Sequence, residues 1–284
     1  MDQDVLNFKL INLKLKTDYS KTLFAILSSI AFSIMFYYIH VLIDSMFRKR
    51  NEKLSIITYQ RYNGKINDPK VEAKKISDSL WMIKNLQISF IHSTLCALFI
   101  VYTVFTNPNM FHDPILYSSN ECYLLVSFSV GYFIYDFSDM LRNNKIIEMW
   151  VVVAHHFIAI SLFSYHLLNV YCLTYSLVAL SMEFNSVFLH ARKLLKLYGY
   201  LKTDSFYKVI SFFNFLTFFV FRFGVFAYLY HDIYYDYQRL HKNYFILLIT
   251  CINAMFIVNI GLFRQLLIKD IFRRNKVTNQ EKTN

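Results

Sequence analysis

The stretch Met149-WVVVAHHFIAISLFSYHL-Leu168 decides how this chain is read. Its twenty residues contain no Asp, Glu, Lys or Arg, and about twenty apolar residues is the length of helix that a bilayer core demands. Within it sits an adjacent pair, His155 and His156. Ionisable groups at membrane depth are costly, turn toward a bundle interior or a wet cavity, and make a functional site the default reading. A lone buried imidazole serves equally well as an interhelical hydrogen bond. A pair, followed by a second apolar run from Tyr171 to Leu189 that hides Glu183, points to chemistry instead.

Composition agrees with a membrane reading. Of 284 residues, 56% are hydrophobic and 19% aromatic, with five Gly and three Pro. The apolar residues come in long blocks and not at amphipathic period, which predicts an all-α polytopic membrane protein. The formal net charge of +11 is gathered in particular loops. Such a distribution sets orientation in a bilayer and does not build a nucleic-acid-binding face. Cys96, Cys122, Cys172 and Cys251 show no metal-ligand spacing, so no metal is expected. Cys122 and Cys172 fall near the same end of their spans, where a disulfide is a question for coordinates.

Seven spans are expected: Thr22 to Ile43, Asn85 to Thr106, Cys122 onward, Met149 to Leu168, Tyr171 to Leu189, Val209 to Tyr230, and Phe245 to Ile268. Cys122 to Tyr135 alone covers only ~21 Å of a ~30 Å core, so the third span must continue through Asp136 and Asp139. Asp44 to Lys84 carries ten Lys/Arg against five Asp/Glu, with turn signals at Asn63-Gly64 and Asp68-Pro69. It is read as a solvated cytoplasmic connector. Arg142 and Lys145, then Arg192 to Lys208, then Lys269, Arg273, Arg274 and Lys276 fall on that same side. This places the N-terminus outside or in a lumen and the C-terminus in the cytoplasm; Arg239 and Lys242 are the two basic residues on the opposite side. The N-terminal twenty residues, with Lys9, Lys14 and Lys16, do not have the form of a cleavable signal.

Depth follows from the rise of 1.5 Å per residue. His155 and His156 lie roughly 9 to 10 Å from the cytoplasmic end of their span, and Glu183, Asp136 and His92 fall at about the same depth, with Asn214 and Asn259 close by. This layer suits a buried reaction chamber: imidazole for proton transfer or nucleophilic attack, and a carboxylate to fix its tautomer. Adjacent helical residues point about 100° apart, so only one of the two histidines faces a given point. For Asp136, Asn214 and Asn259, interhelical bonding is the competing reading. Arg222 lies deeper, about 20 Å in and level with Asn253, where it must find a partner.

Gly131 to Lys193 contains Asp136 and Asp139, Trp150 before the histidine pair, and Glu183-FNSVFLHA-Arg192. In these residues the chain resembles the TLC-domain family of multispanning membrane proteins. The resemblance runs from about Ala73 to Arg273 and implies a division into residues 1–72, with the first span, a TLC domain over 73–273, and a basic tail over 274–284. It implies six of the seven helices arranged as a barrel around a lipid-binding cavity. In the ceramide synthases of this family the paired histidines and a following Asp form an acyltransferase site that uses acyl-CoA. By that correspondence His155, His156 and Glu183 are candidate catalytic residues; their common depth adds Asp136, and the further intramembrane polar residues His92, Asn185, Arg192, Asn214, Arg222 and Asn259 are the candidate lipid-binding ones. This chain departs from the synthases at Glu183, where they have Asp, at Met182, where they have a further His, and at Ser186, where they have a second Asp.

The nearer likeness is to the small TLC-domain-containing proteins that modulate phospholipid acyl composition and plasma-membrane fluidity. What it implies is a regulator of membrane lipid homeostasis in the plasma membrane or endoplasmic reticulum. Phospholipids or acyl-CoA are its partners, and no bound cofactor is expected. Two alternatives stand beside it, a ceramide-synthase-like N-acyltransferase and a seven-span receptor. Against the receptor stand the basic first cytoplasmic segment and a polar layer at the cytoplasmic end.

Overall fold

A computed structural model describes residues 19–63, 68–201 and 203–268, and every regular element among them is helical. The helices are α1 (Tyr19–Asn63), α2 (Pro69–Thr106), α3 (Asn120–Arg142), α4 (Trp150–Asn169), α5 (Leu173–Leu180), α6 (Glu183–Leu197), α7 (Ser205–Thr217), α8 (Gly224–Asp236) and α9 (Lys242–Leu267). A π-helical turn, Phe218–Phe223, precedes α8. Among the described residues six helical stretches are long and apolar enough to cross a membrane: Lys21–Gln60, Pro69–Thr106, Asn120–Arg142, Trp150–Asn169, Ser205–Arg239 and Lys242–Leu267. The N-terminal lysines, Gly64, Lys202 and the basic tail from Lys269 onward lie outside the described residues.

Two expectations need correction. Asp44 to Lys84 is not an irregular connector, because α1 runs on to Asn63 and α2 begins at Pro69. At 1.5 Å per residue a helix of 45 residues is about 68 Å long, more than twice a bilayer core. The sequence reasons are local. No Gly or Pro interrupts 44–63. Asp68 accepts from the Lys70 N–H at 2.9 Å with Pro69 at the first helical position, a strong start signal. The charges of this segment lie along the C-terminal part of α1 and the N-terminal part of α2.

The fifth expected span is likewise not continuous. It is α5 and α6, separated at Ser181 and Met182, where Phe184 N–H bonds back to the Ser181 carbonyl at 3.1 Å and Asn185 N–H to that of Met182 at 3.1 Å. These three-residue spacings tighten the helix locally. They leave Glu183 in the first turn of α6, where a carboxylate complements the helix dipole. The link from α4 to α5 turns through Val170 and Cys172, both with left-handed backbone (φ 47° and 55°). It is tied down by Cys172 N–H donating to the Ile115 carbonyl at 2.9 Å. All four cysteines are free thiols, so Cys122 and Cys172 are not bridged.

The described chain divides into two compact units, one ending at Thr217 and one beginning at Phe218. In the first, α3 is the central element and packs against α1, α2, α4 and α5. Of its apolar stretch 72% is buried, against 17% for that of α1. Lipid tails are as apolar as leucine, so close packing and polar bonds must hold such helices together. Gly131 permits the closest approach: a Cβ there would lie 2.5 Å from Phe32 Cβ and 2.7 Å from the Ser29 carbonyl oxygen. Below that crossing Phe36, wholly buried, sits among the rings of Phe128, Tyr132 and Tyr135. In the second unit Phe223 and Phe263 meet edge to face with centroids 5.3 Å apart.

Candidate functional site

Helical spacing assembles the site. Asn85, Ser89 and His92 stand four and three residues apart on α2, and Tyr132 and Asp136 four apart on α3, so each set shares one face. Asn85 Nδ2 donates to Asp136 Oδ1 at 2.5 Å. Tyr132 donates its hydroxyl to Ser89 Oγ at 2.9 Å, and Ser89 donates to the Asn85 carbonyl at 2.8 Å. His92 lies flat against Tyr132, ring centroids 3.8 Å apart and planes within 8°. From α4, His156 places Nδ1 3.2 Å from Asp136 Oδ2, at ion-pair distance but angled outside hydrogen-bond geometry. Asp136 is 3% exposed and His156 5%, so neither group trades its partner for bulk water.

Of the candidate catalytic residues, the structure thus joins Asp136 and His156. His155 is half-buried, its ring 5.4 Å from that of His156 and edge-on to Phe133. This is the divergence expected of neighbours on a helix. Glu183 is half-buried and lies within electrostatic reach of Tyr132 and Cys96, while the carboxylate beside His156 is that of Asp136. Asn185 forms a separate node with Asn214, donating to its backbone carbonyl at 2.9 Å and to Thr217 Oγ1 at 3.1 Å, which fastens α6 to α7. Arg192 is buried further along α6.

In the second unit Arg222, on the π-helical turn, donates to Asn259 Oδ1 at 2.6 Å and lies over the Phe218 ring. It was expected level with Asn253, which instead accepts from the Tyr230 hydroxyl at 2.6 Å. Arg239, the basic residue on the side where few were expected, is paired with Asp236 at 3.2 Å.

Sequence reasoning did not single out Asn85, Ser89, Tyr132 or a second node around Asp139. There Trp81 Nε1 donates to Asp139 Oδ2 at 2.8 Å, and His40 Nδ1 stands 3.9 Å from Oδ1 and 2.6 Å from the Tyr135 hydroxyl. The spacing of polar residues along one face of α2 was the available signal. Among the described residues no group of three or more His, Cys, Asp or Glu is placed to hold a metal ion.

What the pair can do chemically follows from its arrangement. A carboxylate near Nδ1 favours a proton there electrostatically, although their angle makes no hydrogen bond, and so favours Nε2 as the basic nitrogen. The same carboxylate stabilises the imidazolium once a proton is taken.

The TLC-domain family model matches residues 83–267. This span contains Asn85, Asp136, His156 and Glu183. TLC domain-containing protein 2 of Danio rerio is 33% identical over 204 residues, covering 71% of this chain and 82% of that protein. The Homo sapiens protein of the same name is 36% identical over 117 residues, 41% of this chain and 44% of its own length, so the likeness spans less than half of it. TLC domain-containing protein 1 of Homo sapiens is 27% identical over 179 residues, 63% of this chain and 72% of that protein. No solved structure matches. A helical membrane protein with paired histidines beside a buried acid, matched over most of its length by this model, belongs to the TLC-domain family.

Proposed function

We propose that the chain adjusts the acyl composition of membrane phospholipids, and with it membrane fluidity, by acyl transfer at His156 and Asp136. The observation that carries this reading is a charge-capable pair 3.2 Å apart in an interior where both members are almost wholly buried. Neutral residues suffice to glue helices, so two ionisable ones at this depth call for a use. Acyl-CoA is the donor and a lysophospholipid hydroxyl the acceptor. His156 Nε2 takes the hydroxyl proton as the oxygen forms its ester bond at the thioester carbon; the carbon–sulfur bond breaks, and the imidazolium returns the proton to the departing thiolate. Phospholipid is favoured over a sphingoid base because Met182, Glu183 and Ser186 depart from the ceramide synthase pattern. The chain acts in the plasma membrane, with the C-terminus in the cytoplasm where acyl-CoA is available.

Comparative lipidomics tests the proposal. Cells lacking the protein and given back the wild-type chain should recover their phospholipid acyl profile, and cells given His156→Ala at equal abundance should not. Full recovery with His156→Ala would reject the role of this residue. A shift confined to ceramides would replace the acceptor.

A further inference from the structure

A cleft of about 370 Å³ opens between α1 and α3 and plays no part in the chemistry proposed above. That volume lies within the range of small-molecule sites. Tyr37, His40, Ser45 and Arg48 line it from α1, and Tyr135 and Arg142 from α3. It sits where the uncharged run of α1 ends at Ile43 and the first charge, Asp44, begins. In a helix that crosses a bilayer this is the boundary between hydrocarbon and water, the level at which tyrosines and lipid headgroups lie. The α1 surface beside it exposes Tyr38, Val41 and Leu42, an apolar wall open to acyl chains.

The charges within the cleft are unequally engaged. Asp44 is held by Lys84 at 2.5 Å and Arg48 at 2.8 Å. Asp139 accepts from Trp81 at 2.8 Å and Asn143 at 3.1 Å, and faces His40. Arg142 is different. Its Nε donates to the Ser138 carbonyl at 3.3 Å and its guanidinium lies 5.7 Å from the centroid of the Tyr37 ring, yet among the described residues it has no ion pair. Both acids in the cleft are committed, and one guanidinium is left with its terminal nitrogens for an outside anion. The planar fork of arginine matches a phosphate with two parallel hydrogen bonds; the Ser45 hydroxyl stands on the facing helix, and Arg48, itself paired with Asp44, adds positive charge beside it.

We infer that this cleft binds the phosphate of a membrane phospholipid, with Arg142 as its principal ligand and the acyl chains lying along the apolar face of α1. A lipid without phosphate lacks the group that Arg142 recognises, and a soluble phosphate lacks the chains. The site is independent of the acyl-transfer reading, since binding needs no turnover.

The test uses the full chain in detergent micelles with a fluorescent short-chain phosphatidylcholine. Wild type should bind it saturably, Arg142→Gln at least tenfold more weakly, and Arg142→Lys in between, because an ammonium keeps the charge and loses the fork. Arg48→Gln provides a second variant should Arg142→Gln melt at lower temperature than wild type. Diacylglycerol of the same chain length should not compete. His156→Ala should bind as wild type does, so failure of the acyl-transfer reading leaves this result intact. Undiminished binding in folded Arg142→Gln and Arg48→Gln, equal competition by diacylglycerol, or loss of binding in His156→Ala would each overturn the assignment. Displacement by millimolar inorganic phosphate would overturn the lipid as its source.

Discussion

Two buried polar nodes in the first unit invite comparison. At α6 and α7, Asn185 is wholly buried and bonds to Asn214 and Thr217. At α2, α3 and α4, half-buried Asn85 meets Asp136 and His156, both almost wholly buried. The first contains only neutral amides and a hydroxyl, enough to fasten two helices whose apolar faces gain little from each other in lipid. The second holds a carboxylate and an imidazole, whose burial is far more costly than that of an amide. Packing accounts for the first node, and the proposed acyl transfer would give the second a use. What distinguishes the two nodes is the presence of titratable groups with a defined partner.

Breaking each node should therefore give different losses. His156→Ala removes the proposed base, and general acid–base groups contribute typically 10²- to 10⁴-fold. CoA release from acyl-CoA by the purified protein should fall by a factor in that range while the melting temperature in detergent stays near wild type. Unchanged release would return the pair to a packing role. Asn85→Ala takes away the donor that orients Asp136, and a loss of about tenfold is expected, since the base itself remains. Asn185→Ala should do the reverse. Interhelical polar bonds in membranes are worth ~0.6 kcal/mol on average and up to ~1.7. A drop of that order in stability, with CoA release per folded molecule preserved, is what a thermal melt and an activity assay on one sample should find. Arg239→Gln opens an exposed pair with Asp236 and should change stability by less than ~1 kcal/mol. It is the control for charge loss outside both nodes.

Sequence alone made the first node's logic harder to see than the second's. Apolar blocks revealed the spans, because a bilayer requires about twenty such residues in a row. Counting 1.5 Å per residue brought Asp136, His92 and His156 to one level, and the structure joins Asp136 with His156. Depth says nothing of azimuth, however. Whether Glu183 or Asp136 faces His156 depends on how each helix is rotated and on the tightened turn at Ser181 and Met182, which no periodicity in that run announces. The depth count also assumed regular helix at Arg222. There a π-helical turn and a long side chain carry the guanidinium to Asn259 instead of the level of Asn253. The helical extension over 44–63 was legible in its lack of Gly and Pro, and that over 69–84 in the capping signal at Asp68 and Pro69; reading charge as loop hid both.

The choice between Asp136 and Glu183 is the centre of the account. Steady-state CoA release by Asp136→Asn and Glu183→Gln, each compared with wild type at equal folded concentration, tests it most directly. Asp136→Asn keeps the shape and removes the charge that, on the proposed mechanism, stabilises the His156 imidazolium, so turnover should fall at least a hundredfold with little change in acyl-CoA affinity. Glu183→Gln should retain turnover within about tenfold, acting on the pair only from a distance. A Glu183→Gln variant as impaired as expected for Asp136→Asn, beside an active Asp136→Asn, would contradict the assignment of the proposed working acid to α3.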